Sequence, residues 1–186
     1  NCRNVDEAIE YISNGLHFGG SIIFLADKDK GAIIELTGWQ KHIEIIENGA
    51  QFRSNHFLNL TDKTYESPPH SVSSSRRFYA AKEFFEEKSY NLSVLDCHEL
   101  SRHHYYSEEG VLSEHDSADG SICNHHTLFG VTFQIDKNYP GELSVMWTAL
   151  SFPCSSIYVP LHAVQRRSKK LAKQEMRGEQ QWKLRQ

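Results

Sequence analysis

The chain has 186 residues, with 20 Lys and Arg against 24 Asp and Glu, giving a formal net charge of −4. Apolar residues make up 39%, charged residues 24% and aromatics 11%, the balance of a soluble folded domain with a core of its own. These figures exclude a low-complexity chain, and no run approaches the ~18 uninterrupted apolar residues of a membrane span.

Asn1 is not a start methionine and no basic-then-apolar signal sequence follows it, so the chain reads as processed, excised or partial. The charge is uneven: residues 165–186 hold eight Lys and Arg and two Glu, a net of +6, which leaves −10 on the first 164. That division suggests an acidic body over 1–162 and a basic helical tail over 163–186. The tail reads as a solvated helix, and no nucleic-acid partner is expected of it. Cys2, Cys97, Cys123 and Cys154 are scattered, with no CxxC pair, which fits neither a disulfide scaffold nor a zinc ribbon. One or two disulfides stay open. The sequons at Asn59 and Asn91 leave the compartment open as well.

In chain order, Asn4 is an N-cap candidate for a helix whose apolar residues Val5, Ala8, Ile9 and Ile12 share a face, with Gly15 as a stop. From Gly20 the period changes. SIIFLA and AIIEL flank DKDKG, the signature of a hairpin. HIEII before Asn48-Gly49 predicts a further hairpin, returning through Gln51-Phe52-Arg53-Ser54, so this block is an antiparallel meander. Residues 61–75 are turn-rich and predict a loop, with Ser73 to Ser75 capping a helix over 76–88 on which Phe78, Ala81, Phe84 and Phe85 share a face. A short helix follows over 92–100, capped by Asn91 or Ser93. Residues 101–121, rich in His, Ser and Asp, predict an exposed loop. Strands resume over 128–135, 142–149 and 156–159. Hairpins rather than strand–helix–strand crossovers join these elements, which argues for an antiparallel α+β class.

Three groups of residues could carry chemistry. Asn55, in Ser54-Asn55-His56 at the end of an expected strand, has a side-chain amide suited to a developing oxyanion, although Asn also caps turns. Arg76 and Arg77 stand at a helix start, where the macrodipole disfavours cations; such a cation is often tied to a carboxylate or a site, although plain solvated surface is the commoner reading. The third group is the histidine-rich stretch, where a zinc site would draw on His103, His115, Cys123 and His125. No pair there has finger spacing and there is no HExxH, so no metal and no cofactor is expected. GxSxG, a phosphate-binding loop and a dinucleotide fingerprint are all absent from the sequence.

The ordered segments CRNVDEAIEYI, IIFLADKDKGAIIEL, SNHFLNL, SSSRRF, SICNHHT and FPC resemble the acyl-coenzyme A:6-aminopenicillanic-acid acyltransferase family. That family is related to choloylglycine hydrolases and penicillin V acylases, which are cysteine N-terminal-nucleophile (Ntn) hydrolases. The resemblance spans roughly residues 2–162. It implies the later part of an αββα sandwich, with antiparallel sheets between helix layers, incomplete in this chain. It also implies hydrolysis or transfer at a linear amide C–N bond of a small molecule through an acyl-enzyme, with a cysteine as nucleophile and its own α-amine as base. On this resemblance Asn55 carries the oxyanion-hole amide and Arg77 the arginine near the nucleophile, with Arg76 as the alternative one residue earlier. The family's nucleophilic cysteine belongs upstream of CRNVDEAIEYI, so a companion chain carrying an N-terminal Cys is the implied partner. Cys2 lies within the downstream helix motif and does not take that role. The other reading is an inactive relative, or a binding module that uses its acidic body and basic tail.

Overall fold

The computed structural model describes residues 2–61, 72–104, 121–124, 126–139 and 144–162. Within them the order is α1 (Val5–Ser13), β1 (Ser21–Ala26), β2 (Gly31–Leu36), β3 (Lys41–Ile46), α2 (Val72–Glu87), α3 (Val94–Ser101), β4 (Gly130–Gln134), β5 (Val145–Ala149) and β6 (Val159–His162). Strands β1-β2-β3 form one antiparallel sheet and β4-β5-β6 another, so the class is α+β with two three-stranded meanders.

Helix α1 starts where the sequence places it. The Asn4 side chain accepts the Glu7 N–H, and Asp6 and Glu7 lie in the first turn, where the helix dipole favours acids. Asp27 ties this helix to the first sheet. Its Oδ2 takes the Val5 N–H at 2.8 Å, while its Oδ1 takes the Asp29 and Lys30 N–H groups and shapes the β1–β2 turn.

The register pairs Ile23 with Ile34 and Ile34 with Ile43, so one face of the first sheet carries Ile23, Leu25, Ala32, Ile34, Leu36, Ile43 and Ile45. α1 lies against β1 and β2, and its Ile12 lines a cavity of about 190 Å³ together with Ile34 and Leu36. Central strand β2 is buried from Ala32 to Leu36. Its alternate residues Ile33 and Glu35 face the other side, and Glu35 is completely buried.

Three features differ from the sequence reading. Residues 51–54 are not a return strand, because Arg53 turns inward to the Glu35 carboxylate instead of pairing with β3. Helix α2 begins at Val72, so Ser73 to Ser75 are helical rather than a cap, and Ser74 is buried. Arg76 and Arg77 therefore sit in the second turn, away from the unfavourable end of the dipole. Finally, the last strand runs from Val159 rather than Ser156, because Tyr158 turns to stack on His98, with ring centroids 3.8 Å apart.

α3 is capped by Ser93 in a reciprocal box with Asp96. Hydrogen bonds from the Ser93 side chain and backbone, and the Lys88 ammonium at 3.0 Å, bring the Asp96 carboxyl down to about 2. α3 adjoins β4, and its His98 meets Trp147 edge-on at 5.6 Å. The opposite face of the second sheet aligns Val131, Thr148 and Val159, then Phe133, Met146 and Leu161. That face is largely apolar and open at its edge strands, with Phe133 70% and Leu161 44% exposed, while Thr148 on the central strand is buried. The loop expected over 101–121 lies outside the described residues from 105 to 120, as does the basic tail over 163–186.

Candidate functional site

Asn55 and Arg77 are brought together across 22 residues of sequence: Arg77 Nη2 donates to Asn55 Oδ1 at 2.8 Å. Asn55 is exposed and Arg77 half-buried, while Arg76 is exposed. Burial pulls the Arg77 guanidinium below the ordinary arginine range, and its Nε is buried with no hydrogen-bond partner among the described residues.

Two buried groups hold Asn55 in place. On the helix side, Ser74 Oγ accepts the Asn55 N–H at 2.9 Å and lies 3.0 Å from Ser54 Oγ and 2.9 Å from His56 Nδ1. One hydroxyl thus contacts all three residues of Ser54-Asn55-His56. On the sheet side, the Glu35 carboxylate accepts Arg53 Nε at 2.8 Å and the N–H groups of Leu58, Asn59 and Leu60. Arg53 also bonds Glu44 and the Phe52 carbonyl. Burial alone would push Glu35 up. The Asn59 N–H, the Arg53 guanidinium and the Leu58 N–H outweigh it and hold the carboxyl below its ordinary value. Aromatic packing completes the seat: Phe52 lies 4.8 Å from the rings of both Phe78 and Phe85, and His56 lies 5.5 Å from Phe78.

This arrangement can do one thing chemically. The Asn55 carbonyl oxygen is occupied by a cation, which polarises the amide and makes its Nδ2 hydrogens better donors. Those hydrogens have no partner among the described residues and stand on the exposed side. A preorganised, polarised amide donor is what a developing oxyanion requires.

Of the four residues named for a zinc site, Cys123 belongs to a cluster gathered among the described residues. His115 and His125 lie outside the described residues, and His103 is not part of the cluster. Instead a ring nitrogen of His104 and the Sγ atoms of Cys123 and Cys154 lie within 4.8 Å of one another. Cys123 is completely buried. Burial pushes its thiol up to about 11, with the Cys154 backbone N–H partly offsetting this and the Cys154 thiol adding to it. No disulfide joins the four cysteines.

Glu35 and Ser74 escaped the sequence reading because both sit inside regular elements. The available signal was a lone acid in the apolar run AIIEL, with an arginine later in the polar segment beside Asn55. No family model, curated protein or solved structure matches the chain.

Proposed function

We propose that this chain is the later portion of a cysteine Ntn amidohydrolase or acyltransferase that acts on linear amide C–N bonds of small molecules, with its nucleophile supplied from outside these residues. The observation that carries the reading is the Arg77–Asn55 hydrogen bond, which occupies the Asn55 oxygen and leaves the amide hydrogens of an exposed residue without a partner among the described residues. In this reading a thiolate adds to the substrate carbonyl and Asn55 Nδ2 donates to the oxygen that becomes negative. The amine leaves with a proton from the general base, and the acyl-enzyme passes its acyl group to water or to a second amine. Arg77 acts at one remove, polarising Asn55 and adding positive potential that favours a nearby thiolate. An αββα sandwich completed by a companion chain agrees with the open apolar face of the second sheet, which a further layer would cover.

The test begins with the intact masses and N-terminal sequences of everything that co-purifies with the chain from its source. A companion beginning with Cys is expected. Turnover of a panel of acyl amides by that complex is then measured with Asn55→Ala, where removal of one oxyanion donor lowers kcat by about 100-fold or more. A near-normal rate, or no cysteine-initiated companion, overturns the reading in favour of an inactive relative or binding module.

A further inference from the structure

The cluster of His104, Cys123 and Cys154 is independent of the Asn55 site and of the function proposed for it. It joins three separate segments. His104 lies two residues beyond Arg102, the C-cap of α3. Cys123 belongs to residues 121–124, whose buried Ser121 and Asn124 are linked by an Asn124 Nδ2 to Ser121 carbonyl bond of 3.1 Å. Cys154 sits in the turn over 152–155, closed by the Ser155 N–H on the Phe152 carbonyl.

The segments are fixed to one another by bonds that do not involve the three side chains. The Cys123 N–H donates to the His103 carbonyl at 3.0 Å. Arg102 reaches across to the other turn, with Nε to the Pro153 carbonyl at 2.9 Å and Nη2 to the Ser156 carbonyl at 3.2 Å. The backbone positions of the three residues are therefore set by the framework. Two sulfurs and one imidazole nitrogen form a borderline-soft set that suits zinc and discriminates against calcium and magnesium. Ligands of one tetrahedral zinc stand about 3.5–3.8 Å apart, given metal–ligand distances of about 2.0–2.3 Å. The set, all within 4.8 Å, needs to contract by about 1.3 Å at most to reach that geometry.

We infer that His104, Cys123 and Cys154 bind one zinc ion as a clamp between the end of α3, the 121–124 segment and the 152–155 turn. Binding displaces a proton from each thiol and is carried by the two thiolates and the neutral imidazole. The fourth position faces the exposed side at Cys154, where water completes the tetrahedron.

The full chain, purified under reducing conditions, is loaded with zinc alone, washed with a weak chelator and assayed for metal, and cobalt(II) is bound in parallel. One zinc per chain and a thiolate-to-cobalt charge-transfer band are expected. Cys123→Ser, Cys154→Ser and His104→Ala each lose the tightly held metal, falling to about 0.1 zinc per chain or less. Cys97→Ser retains it. Cys154 is exposed, so if Cys123→Ser fails to fold, Cys154→Ser with unchanged circular dichroism decides the matter. The inference is overturned if the full chain retains no zinc or cobalt, or if Cys154→Ser binds both as well as the parent. It is equally overturned if non-reducing peptide mapping of protein isolated from its source finds Cys123 cross-linked to Cys154 in place of metal.

Discussion

Glu35 and Arg53 form an ion pair at 2.8 Å between side chains that are only 1% and 3% exposed. The same carboxylate closes the segment over 58–60 by accepting three backbone N–H groups. Removing one partner of a buried pair costs about 3–5 kcal/mol, because the other charge stays buried. Glu44 still faces Arg53, so Glu35→Gln is expected at the low end, about 3 kcal/mol, measured by urea unfolding of the chain. A change below about 0.5 kcal/mol, as for an ordinary surface substitution, would remove Glu35 as the support of this segment.

Acid should act in two stages. Burial, with the Arg102 guanidinium second, holds His98 below its ordinary 6.5. The unfolded chain then takes up the proton more readily, so the His98 contribution is complete above 6.5 and declines as pH falls beneath it. Glu35 is held below 4.5, so its contribution is complete above that value and is lost as pH falls through the lower folded value. Unfolding midpoints measured from neutral to acid pH should show a shallow fall and then a steep one. His98→Asn should flatten the first, and Glu35→Gln the second.

Gly130 faces a wall. A Cβ there would press into the Tyr158 hydroxyl and stand 3.1 Å from Pro153 Cγ. Tyr158 cannot retreat easily, since its hydroxyl is bonded to Ser101 and its ring is stacked on His98. Gly130→Ala is expected to destabilise by about 1–3 kcal/mol, the usual cost of overpacking. Thermal unfolding reads the shift, and an unchanged midpoint would contradict the packing described.

Ser74→Ala removes the acceptor for the Asn55 N–H from a site that is 2% exposed. An unsatisfied polar group there costs about 1–3 kcal/mol. The more specific readout is local: hydrogen exchange at the Asn55 amide should accelerate well beyond the average for the chain. Uniform acceleration everywhere would mean that Ser74 supports the fold in general and not this tripeptide.

The first sheet was legible because its signals are local. Asp27 to Gly31 is a turn sequence and the apolar runs beside it have strand length, whereas Asn48-Gly49 signals a hairpin that does not form, since Arg53 turns inward to Glu35. The contact of Asn55 with Arg77 was not legible in residue spacing, since nothing there brings an amide to a helix 22 residues away. Ser74 misled by composition. A serine cluster before an aromatic helix reads as a cap, yet here tertiary contacts with Ser54 and His56 draw it inside the helix. The partners of Cys123 were not legible either. His104 and Cys154 are distant from it in sequence and meet it where Arg102 holds the Pro153–Ser156 turn against the end of α3.

The tripeptide that carries Asn55 is suspended between two abutments, a strand through Glu35 and a helix through Ser74 and Arg77. Phe78 and Phe85, both on α2, hold the Phe52 ring, and Phe52 adjoins the Arg53 that Glu35 of β2 receives. Resizing Phe85 would therefore disturb a seat three residues from Asn55. Under the proposed function, where displacement of a catalytic group by about 1 Å can cost as much as about 100-fold in rate, the packing of Phe52 on α2 would bear on reactivity as well as on the core.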